Sequence, residues 1–388
     1  MKQYLSFVLA SGAALLAACG DQTTQPLSLI GARSAASADR DPGAGARPVG
    51  GVYVDTNSAS GNAIVAFARF DNGTLNKLGE FATGGLGTGG AGDPLQSQAS
   101  VVVSQNHHRL FVVNAGSNSV STFSIEDGAT PHLLGTVSSF GSGPISLALA
   151  NERLYVLNRD NSVAGYSIAG NGLPAPLSQT RISLGGASDG PSTINASRDG
   201  RFLFVTERAA SAIAVVAVGP HETLESAGRR TSSGGGPFGF AVTNRDQLIV
   251  SEAGTGAVSS YQSAGGALSL ITASLSTKQA APCWLVLSND ERFAFVANAG
   301  SGSIGGFALS PDGTVTALNA DGRTGVTNGQ GATPLDMDIT RDGKFLYVLQ
   351  TGAGTVGAFA IGANGSLTTL PDTPGLVPVA GFQGLAAF

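Results

Sequence analysis

The sequence predicts an all-β fold: a seven-bladed β-propeller of four-stranded antiparallel blades, with the ring closed by the C-terminal strand joining blade one. Three observations predict it. A short apolar phrase returns seven times, as Val52-Tyr53-Val54, Leu110-Phe111-Val112, Leu154-Tyr155-Val156, Leu203-Phe204-Val205, Leu248-Ile249-Val250, Ala294-Phe295-Val296 and Leu346-Tyr347-Val348. Its central residues lie 58, 44, 49, 45, 46 and 52 positions apart, a period that suits blades built of short strands. The same turn chemistry recurs around each phrase. Finally, Gly makes up 56 of 388 residues and charged residues only 12%, a turn-rich and helix-poor composition, while 42% apolar residues suffice for a core.

Blade four shows the unit most clearly. Ser192 to Ala196 is a short inner strand of small residues, and Arg198-Asp199-Gly200 turns the chain. That turn is matched by Arg341-Asp342-Gly343 and Asn289-Asp290-Glu291. The second strand, Arg201 to Thr206, is apolar on both faces, as expected between stacked sheets. A corner at Glu207 to Ser211 leads to a third strand, Ala212 to Val218, and an outer strand, Thr223 to Ala227, completes the unit. The second hairpin recurs as Asp71-Asn72-Gly73, Asp127-Gly128, Asn171-Gly172, Gly265-Gly266, Pro311-Asp312-Gly313 and Asn364-Gly365, each offering a residue that tolerates φ > 0. Nothing resembling an inner strand precedes Val52. The tail from Gln383 to Phe388 is therefore expected to supply it and close the ring.

The N-terminus has the form of an export signal. Met1-Lys2 gives a positive start, and the apolar run Leu5 to Leu16 is too short to span a bilayer. Leu16-Ala17-Ala18-Cys19 resembles the bacterial lipobox, which implies cleavage before Cys19 and lipidation of its thiol. Residues 1–19 are thus expected to be a lipoprotein signal peptide, 20–49 a flexible tether of roughly 30 Å reach, and 50–388 the propeller. Gly20, rather than Asp, follows Cys19. The expected location is the cell envelope, lipid-anchored to the outer membrane or the periplasmic face, with the membrane touched through the lipid anchor only. Cys283 is the only other cysteine, so no disulfide framework is expected and a buried inert thiol is. A net charge of −5 with no basic cluster makes nucleic acid an unexpected partner.

Arg-Phe-Ala-Phe-Val-Ala-Asn-Ala-Gly (292–300) and Lys-Phe-Leu-Tyr-Val-Leu-Gln (344–350) resemble the YVTN-type repeats of the seven-bladed lactonase family. That family includes 6-phosphogluconolactonases and carboxymuconate-lactonising enzymes, and the resemblance extends over residues 50–388. It implies a site in the central channel, built from His, Arg and Glu on inner strands and adjoining corners.

The corners between second and third strands carry Thr56/Asn57, Asn114, Asn158, Glu207, Glu252, Asn298 and Gln350 at matching positions. Glu207 and Glu252 break the amide pattern, and Arg208 adjoins the first. These three are the candidate catalytic residues, a carboxylate pair for acid/base work beside a guanidinium for a developing oxyanion. The competing reading makes both Glu corner caps that accept backbone N–H bonds. Arg159, Asp160, Trp284 and Asp336 are candidate ligand-binding residues. His107, His108, His132 and His221 all fall at hairpins rather than in the channel, and no metal or cofactor is expected. The run 84–90 is expected to be a flexible connection between blades one and two.

Two functional readings follow. In the first, the chain is a monomeric envelope propeller that binds a small molecule, glycan or envelope protein on its corner-loop face. In the alternative, it is a lactonase-like hydrolase that opens a lactone or related ester at the channel mouth.

Overall fold

Each of the seven repeated phrases lies on the second strand of a blade, where nearly every side chain is buried, as in Leu154 to Leu157 and Leu346 to Leu349. The computed structural model describes residues 48–388 except 126–128 and 328–330. The expected signal peptide, Cys19, the tether to residue 47 and the Asp127-Gly128 turn lie outside the described residues. Seven antiparallel sheets follow in chain order, each running from an inner strand outward, and blade six adds a short fifth piece at Gly325–Val326. A second strand sits between two neighbouring sheets, so both of its faces need apolar side chains. The outer strands face solvent on one side and alternate accordingly, as in His132–Ser138. Blade four matches its sequence reading closely, with strands Pro191–Ala196, Phe202–Glu207, Ala212–Val218 and Leu224–Thr231.

The C-terminal strand Gln383–Ala387 closes the ring. It runs antiparallel to Pro48–Asp55, pairing Val52 with Ala387, Tyr53 with Ala386 and Val54 with Leu385. The register slips at Gly384, whose φ of 61° is left-handed backbone that glycine adopts without penalty. Arg69 Nε donates to the Phe388 carbonyl at 2.7 Å and fixes the end of the strand.

Neighbouring blades are also tied by polar contacts. Tyr53 donates to the Ala129 carbonyl of blade two at 2.8 Å, and Tyr347 of blade seven donates to Gly73 O of blade one at 2.9 Å. The first-hairpin turns link in sequence around one face. Asn151 Nδ2 donates to Asp199 O, Arg198 N to Asp246 Oδ1, Asn244 N to Glu291 Oε1, and Asn289 Nδ2 to Thr340 O. This hairpin face is therefore stapled together from blade three to blade seven.

Candidate active site at the corner-face mouth

The connection from blade one to blade two departs most from the sequence reading. It runs from the outer strand Leu75–Ala82 to the inner strand Val101–Val103. Its Gly-rich first half is pinned to the blade-one corner, where Gly87 N donates to Ser58 O and Gly89 N to Asn57 O, both at 2.8 Å. The expected flexible connection is thus a placed one.

The second half of the connection crosses the axis and fills the channel. Pro94 O accepts from Arg159 Nη2 of blade three at 2.9 Å, and Gln96 Oε1 accepts from Arg208 Nη2 of blade four. Ser97 Oγ donates to Ile145 O at 2.7 Å, while Ser97 O accepts from the Trp284 indole N–H of blade six at 2.8 Å. The Gln98 amide pairs with both backbone groups of Leu285, at 2.8 and 2.9 Å, and Gln98 O accepts from Ser146 Oγ at 2.6 Å. Ala99 N donates to Asp336 Oδ2 of blade seven at 2.8 Å. Gly239 on blade five's inner strand makes room, since a Cβ there would collide with Gln98.

Asp93 begins this crossing and is only 6% exposed. Its Oδ1 accepts the Gln96 N–H at 2.9 Å. Burial pushes its carboxyl up to about 7, against the lowering pull of the Gln96 N–H, Arg208, the Gln383 amide and Arg159. Burial likewise lowers Arg159 and Arg208, with Asp93 acting to hold each charged. Asp93 Oδ2 is buried without a hydrogen-bond partner, and so are Arg208 Nε and Nη1. One acceptor and two donors are thus left unpartnered, and Asp93 and Arg208 lie near enough to influence each other's charge.

The two corner glutamates are placed differently. Both are fully buried. Glu207 Oε1 accepts from Asn161 Nδ2 and Arg229 Nη2, both at 2.7 Å, and Arg229 also bridges to Asp189 at 2.8 Å. Burial raises Glu207, opposed by Asn161 and Arg229. Glu252 Oε1 accepts from Ser232 Oγ at 3.0 Å and Gly234 N at 2.7 Å, and its Oε2 from Ser274 Oγ at 2.9 Å. Each carboxylate thus serves its own set of loop and outer-strand donors, the arrangement of a corner cap, with Glu207 Oε2 left buried and unpartnered. Asn114 fills the same place in blade two, where it joins Asn62, Thr83 and Ser121. Of the three candidate catalytic residues, Arg208 alone stands at the mouth beside Asp93.

The candidate ligand residues divide in the same way. Arg159 reaches the mouth, whereas Asp160 is held locally. Burial works to raise the Asp160 carboxyl, but Ser162, Ser142 N–H and Arg181 together hold it below the ordinary range. Trp284 and Asp336 line the channel wall but are engaged by the crossing segment. Asp338 accepts from Ala387 N at 2.9 Å and so helps seat the closing strand. Cys283 is wholly buried, as the sequence reading expects. His107, His108 and His132 sit at hairpins. Among the described residues no group of three or more His, Cys, Asp and Glu side chains could hold a metal ion.

Sequence reasoning missed Asp93, Gln96 and Gln98. The available signal was the longest interval in the sevenfold period, 58 residues, which left more chain between blades one and two than a connection needs.

A family model described as "Lactonase, 7-bladed beta-propeller" matches residues 60–181, 173–253 and 248–378. The chain belongs to this lactonase family. No curated protein matches it in sequence. Among solved structures it is similar to a Bacteroides fragilis protein provisionally described as a 6-phosphogluconolactonase, with TM-score 0.70 and 19% identity over 87% of this chain and 98% of that one. It is also similar to the periplasmic gluconolactonase of Pseudomonas aeruginosa, with TM-score 0.65 and 18% identity over 86% and 98%. A Lactobacillus plantarum protein aligns with TM-score 0.70 at 18% identity over 87% and 99%. At these identities the likeness is one of fold.

Proposed function

We propose that the chain is a lactone hydrolase acting at the corner-face mouth, with Asp93 and Arg208 as its catalytic residues. The observation that carries this reading is the open acceptor of Asp93 facing a neighbourhood in which Arg208 keeps two open donors. In its ionised form, Asp93 Oδ2 takes a proton from a water as the water oxygen bonds to the lactone carbonyl carbon. The carbonyl π electrons move onto oxygen, and the Arg208 N–H groups stabilise that oxyanion. When the intermediate collapses, the ring C–O bond breaks and the proton on Asp93 passes to the departing alkoxide. The products are a hydroxy acid and the original carboxylate. Arg159 orients the substrate by binding an oxygen at the rim. Membership of the lactonase family supports the reaction class, and the gluconolactonase description of a structural neighbour suggests sugar lactones as first substrates.

The experiment is hydrolysis of a sugar-lactone panel by residues 48–388, with four variants alongside. Asp93→Asn and Arg208→Gln are each expected to lower kcat by about 10²–10³-fold. Glu207→Gln and Glu252→Gln, which cap corners, should change it by less than about tenfold. An Asp93→Asn protein with wild-type turnover would defeat the assignment. Export and lipid anchoring at Cys19 are part of the same proposal. Their test is Cys19→Ala, which should move the chain from the membrane fraction to the soluble one.

A further inference from the structure

On the hairpin face, opposite Asp93, a cavity of about 640 Å³ opens where blades one, two and seven meet. Arg69 lines it from the strand Ala63–Phe70 of blade one, and Arg341 and Lys344 line it from the first-hairpin turn of blade seven. Arg69 is only 4% exposed. Its Nε donates to Phe388 O, but its Nη1 is buried with no hydrogen-bond partner. A buried guanidinium N–H without an acceptor is costly, and native folds rarely keep one open without a use. The backbone makes room for this side chain. Gly50 pairs with Arg69 across the strands, beside a register shift at Val49, and a Cβ on Gly50 would collide with Phe388 O and stand 3.0 Å from Arg69 Nε. His107 of blade two closes another side, its ring stacked on Phe388 with centroids 5.0 Å apart. Burial first, then the charges of Arg341 and His108, hold its imidazole below the ordinary value, so at neutral pH it is uncharged and keeps one N–H to donate. Two carboxylates share the cavity. Asp342 serves its own turn, where Oδ1 accepts from Thr340 Oγ1 at 2.6 Å and from Lys344 N at 3.2 Å. Its Oδ2 stands 3.7 Å from Lys344 Nζ, a loose surface pair. Asp71 is exposed at the rim. Three cations against two carboxylates leave the cavity positive.

We propose that this cavity is a phosphate-binding site, in which Arg69 Nη1, Arg341, Lys344 and the His107 N–H donate to the oxygens of one phosphate group. Charged donors that line one cavity from separate elements suit an anion with oxygens on every side, and a guanidinium fork fixes its orientation. The volume admits more than the phosphate itself. The group is therefore either a free phosphate or the headgroup of an anionic lipid. Pro48, where the propeller begins, adjoins Val49 on the same rim, so the chain enters the propeller from this face. The site lies opposite Asp93 and takes nothing from the lactonase reading, so the two stand or fall separately.

The test uses residues 48–388, which hold all seven sheets and the closing strand. Substituting Arg69 would also release Phe388, so the decisive variant combines Arg341→Ala with Lys344→Ala, both at exposed positions. Inorganic phosphate is titrated at neutral pH and followed by its phosphorus NMR line width, with chloride holding the ionic strength constant. Wild type is expected to bind it in the millimolar range, and the double variant at least about tenfold more weakly. A control variant, Lys278→Ala with Arg323→Ala, removes the same charge from exposed positions elsewhere and should keep the affinity within about twofold. Absence of binding by wild type, unchanged affinity in the Arg341→Ala, Lys344→Ala protein, or equal weakening in both variants overturns the site. Sedimentation with phosphatidylglycerol and with phosphatidylcholine vesicles then distinguishes the sources. Sedimentation with phosphatidylglycerol alone, lost in the Arg341→Ala, Lys344→Ala protein, identifies a lipid headgroup. Phosphate binding without sedimentation identifies a free phosphate.

Discussion

At the residue scale, two kinds of carboxylate share the corner face, and their partners separate them. Glu252 is held on both oxygens and Glu207 on Oε1 by loop and outer-strand donors, with Glu207 Oε2 left unpartnered; Asp93 Oδ2 is unpartnered too, and its neighbour is the Arg208 guanidinium. Glu207→Ala would leave Asn161 Nδ2 and Arg229 without their shorter bond in a buried site and with Asp189 alone as acceptor. The expected cost is about 1–3 kcal/mol in chemical denaturation, largely recovered in Glu207→Gln, which keeps an acceptor. Equal stability of the alanine variant and wild type would mean that the cap contributes nothing. The sequence marked Glu207 and Glu252 correctly as breaks in an amide pattern. It did not reveal that they turn outward, because that direction depends on donors such as Ser274 and Arg229, which arrive from outer strands more than twenty residues later.

At the element scale, the strands were legible because each had to satisfy burial on fixed faces. Leu203-Phe204-Val205 needs apolar neighbours on both sides, and the Asp199-Gly200 turn has its own chemistry. There Asp199 Oδ1 accepts from Ser197 Oγ at 2.7 Å and from Arg201 N at 3.0 Å. Asp199→Ala should therefore lower Tm by a few degrees, for about 1 kcal/mol of lost turn bonds. An unchanged melt would show that the turn closes without its side chain. The 93–99 segment was not legible. It has no periodicity, and its partners lie on blades three, four, six and seven, as far as 237 positions away in the pairing of Ala99 with Asp336. Its amino acids are ordinary loop residues, and only the fold gives Gln98 its place against Leu285.

At the scale of the whole molecule, ring closure and buried acid both have measurable consequences. Removing Gln383 to Phe388 strips blade one of its inner strand and Asp338 Oδ2 of the Ala387 N–H. A large loss of Tm, or failure to fold cooperatively, is expected; an unchanged melt would contradict closure. Burial raises Asp55 to about 7, Asp93 to about 7, Asp336 to about 8 and Asp338 to about 6. Each is an acid whose folded value lies above the ordinary value near 4. The folded state therefore holds more protons than the unfolded chain through this window, and stability is lost as pH rises. Tm is expected to fall from pH 5.5 to pH 8.5, measured at constant ionic strength, and a rise would mean that these carboxyls are ionised at no cost.

The central claim is that Asp93, poised by burial beside Arg208, is the base of a lactone hydrolase. It is tested most directly by the pH dependence of kcat/KM for a sugar lactone in wild type and in Asp93→Asn. The expected wild-type profile rises with pH through an inflection near 7, as the carboxylate forms. In Asp93→Asn the rate should fall about 10²–10³-fold and lose that inflection. An inflection near 7 that persists at undiminished rate in Asp93→Asn would contradict the account.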